Sequence, residues 1–393
     1  MNKRGWAFKL LGILVIAVMA AACSPKKTQE QKAADAAELQ AELAALSEPD
    51  KSKEEAAPSP ADSVVSPSGQ MQGGGTAEAP FLIYTEAELR TVCSTYMTQS
   101  HYRLMADITL TGGNDSNPDN GNWMPLGGTD GFTGTFDGNG HTITGLRINV
   151  RENFPAYMSA GMFGAIGGGG RVENLGLIDV SITAATQGIG GIAGVNYGTI
   201  QNCYVTGSIG DMITKGGIAG SNTSGATVQN CYFAGRVFHK RENVSPYSGG
   251  IAGRSSGTVS NCISLAESIT EEPETAVGRV TGENRISEWD GTLINNYGWS
   301  GTTTGHSYLY FVTVPSSTDP AGRDGADLTT VELKTQVVWE QAGFSFGAGS
   351  MWVWNGANGM PGLRNQKAVV PWPEYLEKPA TRIPSPNIEE TGR

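Results

Sequence analysis

Charge is scarce in this sequence. Only 17% of the residues are Asp, Glu, Lys or Arg, against about 25% in ordinary soluble domains. The balance is acidic, with 27 basic and 38 acidic residues and a net charge of −11. A protein that neutralises phosphates needs a basic patch, so nucleic-acid binding is excluded as a function class. Cysteine is also scarce: five in 393 residues cannot build a disulfide scaffold. The histidines are His101, His141, His239 and His306, with no His-Glu-x-x-His and no closely spaced cysteine pair. That leaves no zinc-site pattern, and nothing in the chain calls for a cofactor. The apolar run from Leu10 to Met19 is too short for an ordinary membrane-spanning helix. What is plentiful is glycine, 54 residues, or roughly twice the usual share. The glycines follow no three-residue period, which excludes collagen.

The N-terminus reads as an export signal. Lys3, Arg4 and Lys9 flank the apolar run, and Ala20-Ala21-Ala22-Cys23 follows it. This resembles a bacterial lipoprotein lipobox, although Ala20 stands where leucine is more usual. The resemblance implies residues 1–22 as a signal peptide, cleavage between Ala22 and Cys23, and acylation of Cys23. The lipid would make a membrane the first partner, anchored to but not spanned. By the same resemblance Ser24 favours an outer membrane, in a bacterium that has two. Residues 23–79 then read as a disordered tether. Leu39, Leu43 and Leu46 share one helical face, too briefly for a coiled coil, and Gly73-Gly74-Gly75 ends a flexible linker.

The body repeats. Gly190-Gly191-Ile192-Ala193-Gly194 recurs at Gly216–Gly220 and Gly249–Gly253, with a weaker copy at Ala160–Gly164. A second motif follows each copy: Val172-Glu173-Asn174-Leu175, Ile200-Gln201-Asn202-Cys203, Val228-Gln229-Asn230-Cys231 and Val259-Ser260-Asn261-Cys262. Degenerate copies are expected at Leu293–Tyr297 and at Ile143–Leu146. Cys203, Val205, Gly207 and Ile209 share one parity and Ile200 has the other. A parity change inside a strand run means a bend, and Asn tolerates the left-handed backbone that a bend needs. The expected fold is all-β: a parallel β-helix solenoid whose coils stack because one unit cannot bury its own face. Asn174, Asn202, Asn230 and Asn261 are expected to form an amide ladder that satisfies corner backbone groups. Cys203, Cys231 and Cys262 are expected to be free, buried thiols, in the slot that Leu175 fills one coil earlier. Insertions such as His239–Tyr247 read as loops.

Residues 80–130 are expected to cap the start of the stack, 131–305 to form the coils and 306–365 to cap its end. Both caps read as small α/β units. Capping boxes at Thr85–Glu88 and Thr329–Glu332 each open a helix, the second reaching about Trp339. Phe344, Phe346, Trp352 and Trp354 read as a small cap core, with a carbohydrate platform as the alternative. Residues 366–393, rich in proline, read as an extended tail.

The Gly-Gly-Ile-Ala-Gly copies, each followed by Ile/Val-x-Asn-Cys, resemble the GLUG repeat. The run Phe132–Leu146 resembles the opening coil found before such repeats, and Asp327–Leu363 is similar to their terminator. The resemblance implies a right-handed β-helix of the kind found in exported surface proteins, among them adhesins and immunoglobulin A metallopeptidases. It supplies no catalytic residues, and the metallopeptidase motif is absent. The Gly253-Arg254-Ser255-Ser256-Gly257 match to a nucleophile elbow lies in a turn before a strand, not before a helix. Asp137 reads as a turn carboxylate bonding local backbone N–H groups. A weak calcium candidate is the loop with Asp115, Asn117 and Asp119; its glycine is misplaced and it lacks the closing glutamate. Trp123 reads as a core residue beneath that loop. The expected function is that of an envelope or cell-surface lipoprotein acting as a non-catalytic adhesin or ligand-binding module, with a polysaccharide or a host or surface protein as partner. The alternatives are a polysaccharide-degrading enzyme using Asp115, Asp119 and Asp137, and a structural envelope protein.

Overall fold

The computed structural model describes residues 71–92, 98–112, 122–127, 131–150, 159–184, 186–211, 213–239, 247–270, 277–283, 285–286, 289–306, 310–313 and 317–377. All of them lie in the unit Ser66–Arg393. The fold is a parallel β-solenoid of about six turns.

One central coil shows the plan. Face 1 is Gly188–Gly190, face 2 is Ala193–Asn196, face 3 is Thr199–Gln201 and face 4 is Tyr204–Asp211. Each strand pairs in parallel with its equivalent in the next coil: Gly190 with Gly216, Ala193 with Ala219, Ile200 with Val228, Val205 with Phe233. Face 3 is the longest regular run, eight strands from Phe81–Ile83 to Thr292–Ile294. Insertions enter between face 4 and face 1 of the next coil, as between His239 and Tyr247, and in the last coil also between face 2 and face 3, where Arg285–Ile286 pairs antiparallel with Trp289–Asp290.

The corner between faces 3 and 4 is made by asparagine. Asn174, Asn202, Asn230, Asn261 and Asn295 have φ between +50° and +57°. The parity change expected at Asn202 is therefore a left-handed residue that turns the chain. Leu293–Tyr297 is a true copy of the motif. Ile143–Leu146 is not. Ile143 pairs with Leu177 on face 4, and the residue aligned with Val172 on face 3 is Phe136. The corner of that coil lies at Asn139, whose φ is +51°.

The glycines of the pentapeptide let backbones touch. A Cβ on Gly220 would stand 2.5 Å from both Gly194 O and Ile189 N, backbone atoms of the preceding coil. Face 2 thus packs directly on face 1. The second glycine makes room inside the core. A Cβ on Gly191 would meet the Val205 side chain at 2.7 Å, and one on Gly217 would overlap the Phe233 ring. In the last coil Arg279 holds this glycine position, and its guanidinium lies over Gly298 on the opposite wall. Large faces small across the core, as close packing requires. Ile189, Ile192, Ile200, Cys203, Val205 and Ile209 of one coil are completely buried. Each large apolar side chain among them contributes about 1.5–3 kcal/mol by leaving water.

The far end is closed differently from the sequence reading. At the start, Thr85 caps the helix Glu86–Thr91 through a capping box, as expected. At the other end the closure is the short stretch from Ser317 to Leu328. Arg323 accepts the Val280 and Thr281 N–H groups on its carbonyl, and its guanidinium donates to Gly282 O and Val277 O. Arg279 is buried. It donates to Gly298 O, Trp299 O and Gly325 O, and pairs with Asp327 at 2.5 Å. These groups satisfy last-coil carbonyls that have no further coil to meet.

The aromatic segment beyond is not an end cap. Its helix is broken at Lys334–Thr335 into Thr330–Leu333 and Gln336–Gln341. The chain then runs back along the outside of face 4. Asn295 Nδ2 donates to Gln341 O, Asn230 Nδ2 to Gly343 O, Tyr232 OH to Pro361 O and Tyr204 OH to Gln366 Oε1. At the opening coils Asn365 Nδ2 donates to Asn139 O and Lys367 N to Asp107 Oδ2. The chain then returns, with Tyr375 OH donating to Leu265 O and Leu376 O accepting from Thr330 Oγ1. Residues 366–377, expected as part of an extended tail, are packed, with Val370 and Leu376 buried. A second apolar core results, outside face 4: Tyr204, Tyr232, Ile263, Leu265, Trp339, Phe344, Trp352 and Leu363. Tyr204 and Tyr232 stack parallel at 5.0 Å.

Candidate functional site

Face 3 is a flat run of short parallel strands, and its outward residues form two columns. One is His101, Thr135, Arg171, Thr199, Thr227, Thr258, Thr292. The other is Arg103, Asp137, Glu173, Gln201, Gln229, Ser260, Ile294. The alternation is local chemistry: the middle residue of each strand, from Phe136 to Val259, is fully buried, so its two neighbours must face out. The second column is cross-linked. Gln229 Nε2 donates to Gln201 Oε1 at 2.8 Å, Gln201 Nε2 to Glu173 Oε2 at 2.6 Å, and Arg103 pairs with Asp137 at 3.0 Å. Amides held in a row keep a fixed spacing of one coil, about 4.8 Å. The face therefore offers ordered amide and hydroxyl groups along a line. Its opening end is charged and its later coils are neutral.

Asp137 is fully engaged. Its Oδ1 accepts from Asn139 N at 2.8 Å and from Asn174 Nδ2 at 3.0 Å, and its Oδ2 accepts from Arg103. Only the first of these is the local backbone bond expected for a turn. Glu173 stands beside it in register and accepts from Arg171 and Gln201. A carboxylate used as a proton shuttle needs a free, tuned oxygen; both Asp137 oxygens already have partners, and both bonds to Glu173 fall on Oε2.

The amide ladder takes a different form from the one expected. Asn202 Nδ2 donates to Asn174 Oδ1, Asn261 Nδ2 to Asn230 Oδ1 and Asn295 Nδ2 to Asn261 Oδ1. The side chains bond one another along the stack, because φ near +50° already turns the corner and leaves the amides pointing along the axis. Asn230 Nδ2 instead reaches Gly343 O. A second ladder, inside the core, was not read from the sequence: Asn196 Nδ2 donates to Asn222 Oδ1 and Asn222 Nδ2 to Ser255 Oγ, all fully buried. The signal was a small polar residue two positions after each full pentapeptide: Asn196, Asn222 and Ser255.

Cys203, Cys231 and Cys262 are free and buried. Their thiols donate to Gln201 O, Gln229 O and Ser260 O. Burial, then the neighbouring thiols, holds the Cys231 thiol well above its ordinary range. Ser255 has no nucleophile geometry: it is buried, donates to Gly257 O, and leads into the strand Thr258–Ser260. Trp123 is buried and donates to Met162 O at 3.0 Å, with the Arg90 guanidinium over its ring. Phe344 and Trp352 belong to the flank core. Ala22, Cys23, Cys93, Asp115, Asn117 and Asp119 lie outside the described residues. Among the described residues, no group of three or more His, Cys, Asp or Glu side chains is placed to hold a metal ion, and no helix is long and apolar enough to cross a membrane.

Comparison with known proteins agrees with this repeat. Residues 185–210 match the GLUG motif model. A Gly-rich membrane protein of Evansella cellulosilytica is 38% identical over 136 residues, 34% of this chain and 15% of its own length. Halomucin of Haloquadratum walsbyi is 31% identical over 157 residues, 39% of this chain and 2% of its own length. The chain thus spans only a small part of the curated relatives it matches. A solved structure from Bacteroides ovatus, described as an immunoglobulin A1 protease, superposes with a TM-score of 0.53 at 21% identity, covering 75% of this chain and 95% of that one. At that identity it shares the fold. The chain carries GLUG-type repeats wound into a parallel β-solenoid.

Proposed function

We propose that this protein is a cell-surface or membrane-associated repeat protein that binds an extended ligand along face 3 without catalysing its breakdown. The carrying observation is the pair of outward columns at one-coil spacing, Thr199–Thr227–Thr258 set by strand register beside Glu173–Gln201–Gln229, the second held by side-chain hydrogen bonds. A row of fixed hydroxyls and amides fits a linear polymer rich in hydroxyl groups, so a neutral polysaccharide is the ligand class. Pre-ordered donors lose little entropy on binding. The names of the relatives, a Gly-rich membrane protein and halomucin, support surface display. Lipid anchoring at Cys23 and residence in an outer membrane belong to this proposal too.

The test is retention of the purified chain on a panel of immobilised neutral and acidic polysaccharides, with new chain ends measured in parallel. Retention on a neutral polymer is expected. A double change, Thr227→Arg with Gln229→Arg, should abolish it while the melting temperature moves only a few degrees, because both positions face outward. New chain ends above a heat-inactivated control would refute the non-catalytic reading. Retention unaffected by the double change would refute face 3 as the site.

A further inference from the structure

Coils that touch only their neighbours open from the ends. In such a stack stability is a sum of nearest-neighbour contacts, and terminal coils fray before central ones. This solenoid carries a segment that breaks the nearest-neighbour rule. Residues 329–377 touch Asn295 at Gln341, Asn230 at Gly343, Tyr232 at Pro361, Tyr204 at Gln366, and Asn139 and Asp107 at Asn365 and Lys367. One stretch of 27 residues, Gln341–Lys367, thus bonds the last coils, the central coils and the opening coils. The same segment buries Trp352 against Tyr204, Tyr232 and Phe344.

We propose that residues 329–377 are a strap that couples the coils into one cooperative unit, so that no coil opens alone. To lift one end, a fraying coil must break its own ladder and also a strap contact that is linked through Trp352 to the centre. The stretch Gly347-Ala348-Gly349 is exposed, and nothing lies within 4 Å of where a Cβ on either glycine would stand. The strap is therefore attached by its flanks and not by this turn. A protein displayed at a surface and holding a long ligand is pulled along its axis, and a strap across the coils resists that load.

The molecule contains its own reporters. Cys203, Cys231 and Cys262 sit in three successive coils, each buried. The experiment is thiol alkylation of the full chain over a range of subdenaturing urea, with the three peptides quantified separately by mass spectrometry. In the intact chain the three labelling rates should agree within about threefold and share one urea dependence. A protease site inserted between Ala348 and Gly349 is then cleaved after folding, so that folding itself is not at issue. Departure of the C-terminal fragment is followed by size and mass. Where it stays seated, Trp352→Ala in the cut chain removes its main anchor. After the fragment leaves, the three rates should spread by tenfold or more. Rates that already differ tenfold in the intact chain would overturn the proposal. So would rates that remain equal after the fragment has gone.

Discussion

The close approach of faces 1 and 2 makes a sharp prediction at Gly220. An alanine there places Cβ 2.5 Å from Gly194 O and from Ile189 N, where ordinary contacts begin near 3.4 Å. Both obstacles are backbone, hydrogen-bonded into ladders with the next coil. Neither can rotate aside as a side chain would. The two faces must separate by nearly an ångström or a ladder must break. Overpacking a tight core costs about 1–3 kcal/mol, and rigid neighbours put this site at the upper end. The lower chain entropy of unfolded alanine returns about 0.4–1 kcal/mol. The net expectation for Gly220→Ala is a loss of about 2–3 kcal/mol, or a fall in Tm of roughly 5–10 °C. Gly168→Ala is the matched control, since nothing lies within 4 Å of its Cβ and its φ is not positive. It should be neutral or slightly stabilising. Urea unfolding followed by tryptophan fluorescence measures both. A Gly220→Ala chain within about 0.5 kcal/mol of the parent would refute the account of why the pentapeptide needs its last glycine.

At the asparagine corner, Asn202→Ala loses a ladder bond and also forces a left-handed alanine, together about 2–3 kcal/mol, whereas Asn202→Gly should cost only about 1 kcal/mol; denaturant melts in which glycine is worse than alanine would contradict the role of φ. Burial raises the pKa of Tyr204, Tyr232, Tyr375 and the Cys231 thiol. The folded chain therefore keeps protons that the unfolded chain releases above about pH 8.5 for the thiol and about pH 10 for tyrosine. Stability should be level through neutral pH, decline from about pH 8.5, and fall steeply beyond pH 10, less steeply in Tyr204→Phe; guanidinium melts that stay level to pH 11 would count against it. Arg279→Met should cost about 3–5 kcal/mol, because Asp327 loses its partner and the Gly298, Trp299 and Gly325 carbonyls lose their donor; calorimetry showing a Tm within 2 °C of the parent would show that the end closure does not depend on it.

Local, repeated requirements were legible without coordinates. A left-handed corner needs Asn at Asn202 and its equivalents, the glycine pentapeptide recurs once per coil, and a thiol-sized slot accepts Cys203. Each constraint is met within one coil and recurs, so the chain displays it as periodicity. The copy at Ile143 was misplaced because Ile-x-Gly-Leu is apolar enough to pass for the motif, while the pairing of Phe136 with Val172 is a register fact between coils. Part of the candidate face was also readable, since polar residues flank Val172, Ile200, Val228 and Val259 in the sequence. Their hydrogen-bonded column was not, because it depends on strands 28 residues apart lying in register.

The strap lay beyond sequence reading for a different reason. Tyr204, Tyr232 and Ile263 alternate with the inward Cys203–Val205 parity, which is the mark of strands buried on both sides. That pattern says something covers face 4, but not what. The cover comes from residues more than 100 positions away, and aromatics at Trp339, Phe344 and Trp352 would serve an end cap equally well. Sequence alone therefore determined the coil and its corners, because these are set by backbone sterics inside a repeating unit; which backbones the pentapeptide glycines let touch came from the structure. Only the tertiary structure decided where the C-terminal aromatics go, because that choice is made by the unfilled outer face of Tyr204 and Tyr232 competing with the exposed end of the stack, which Arg279 and Arg323 close instead.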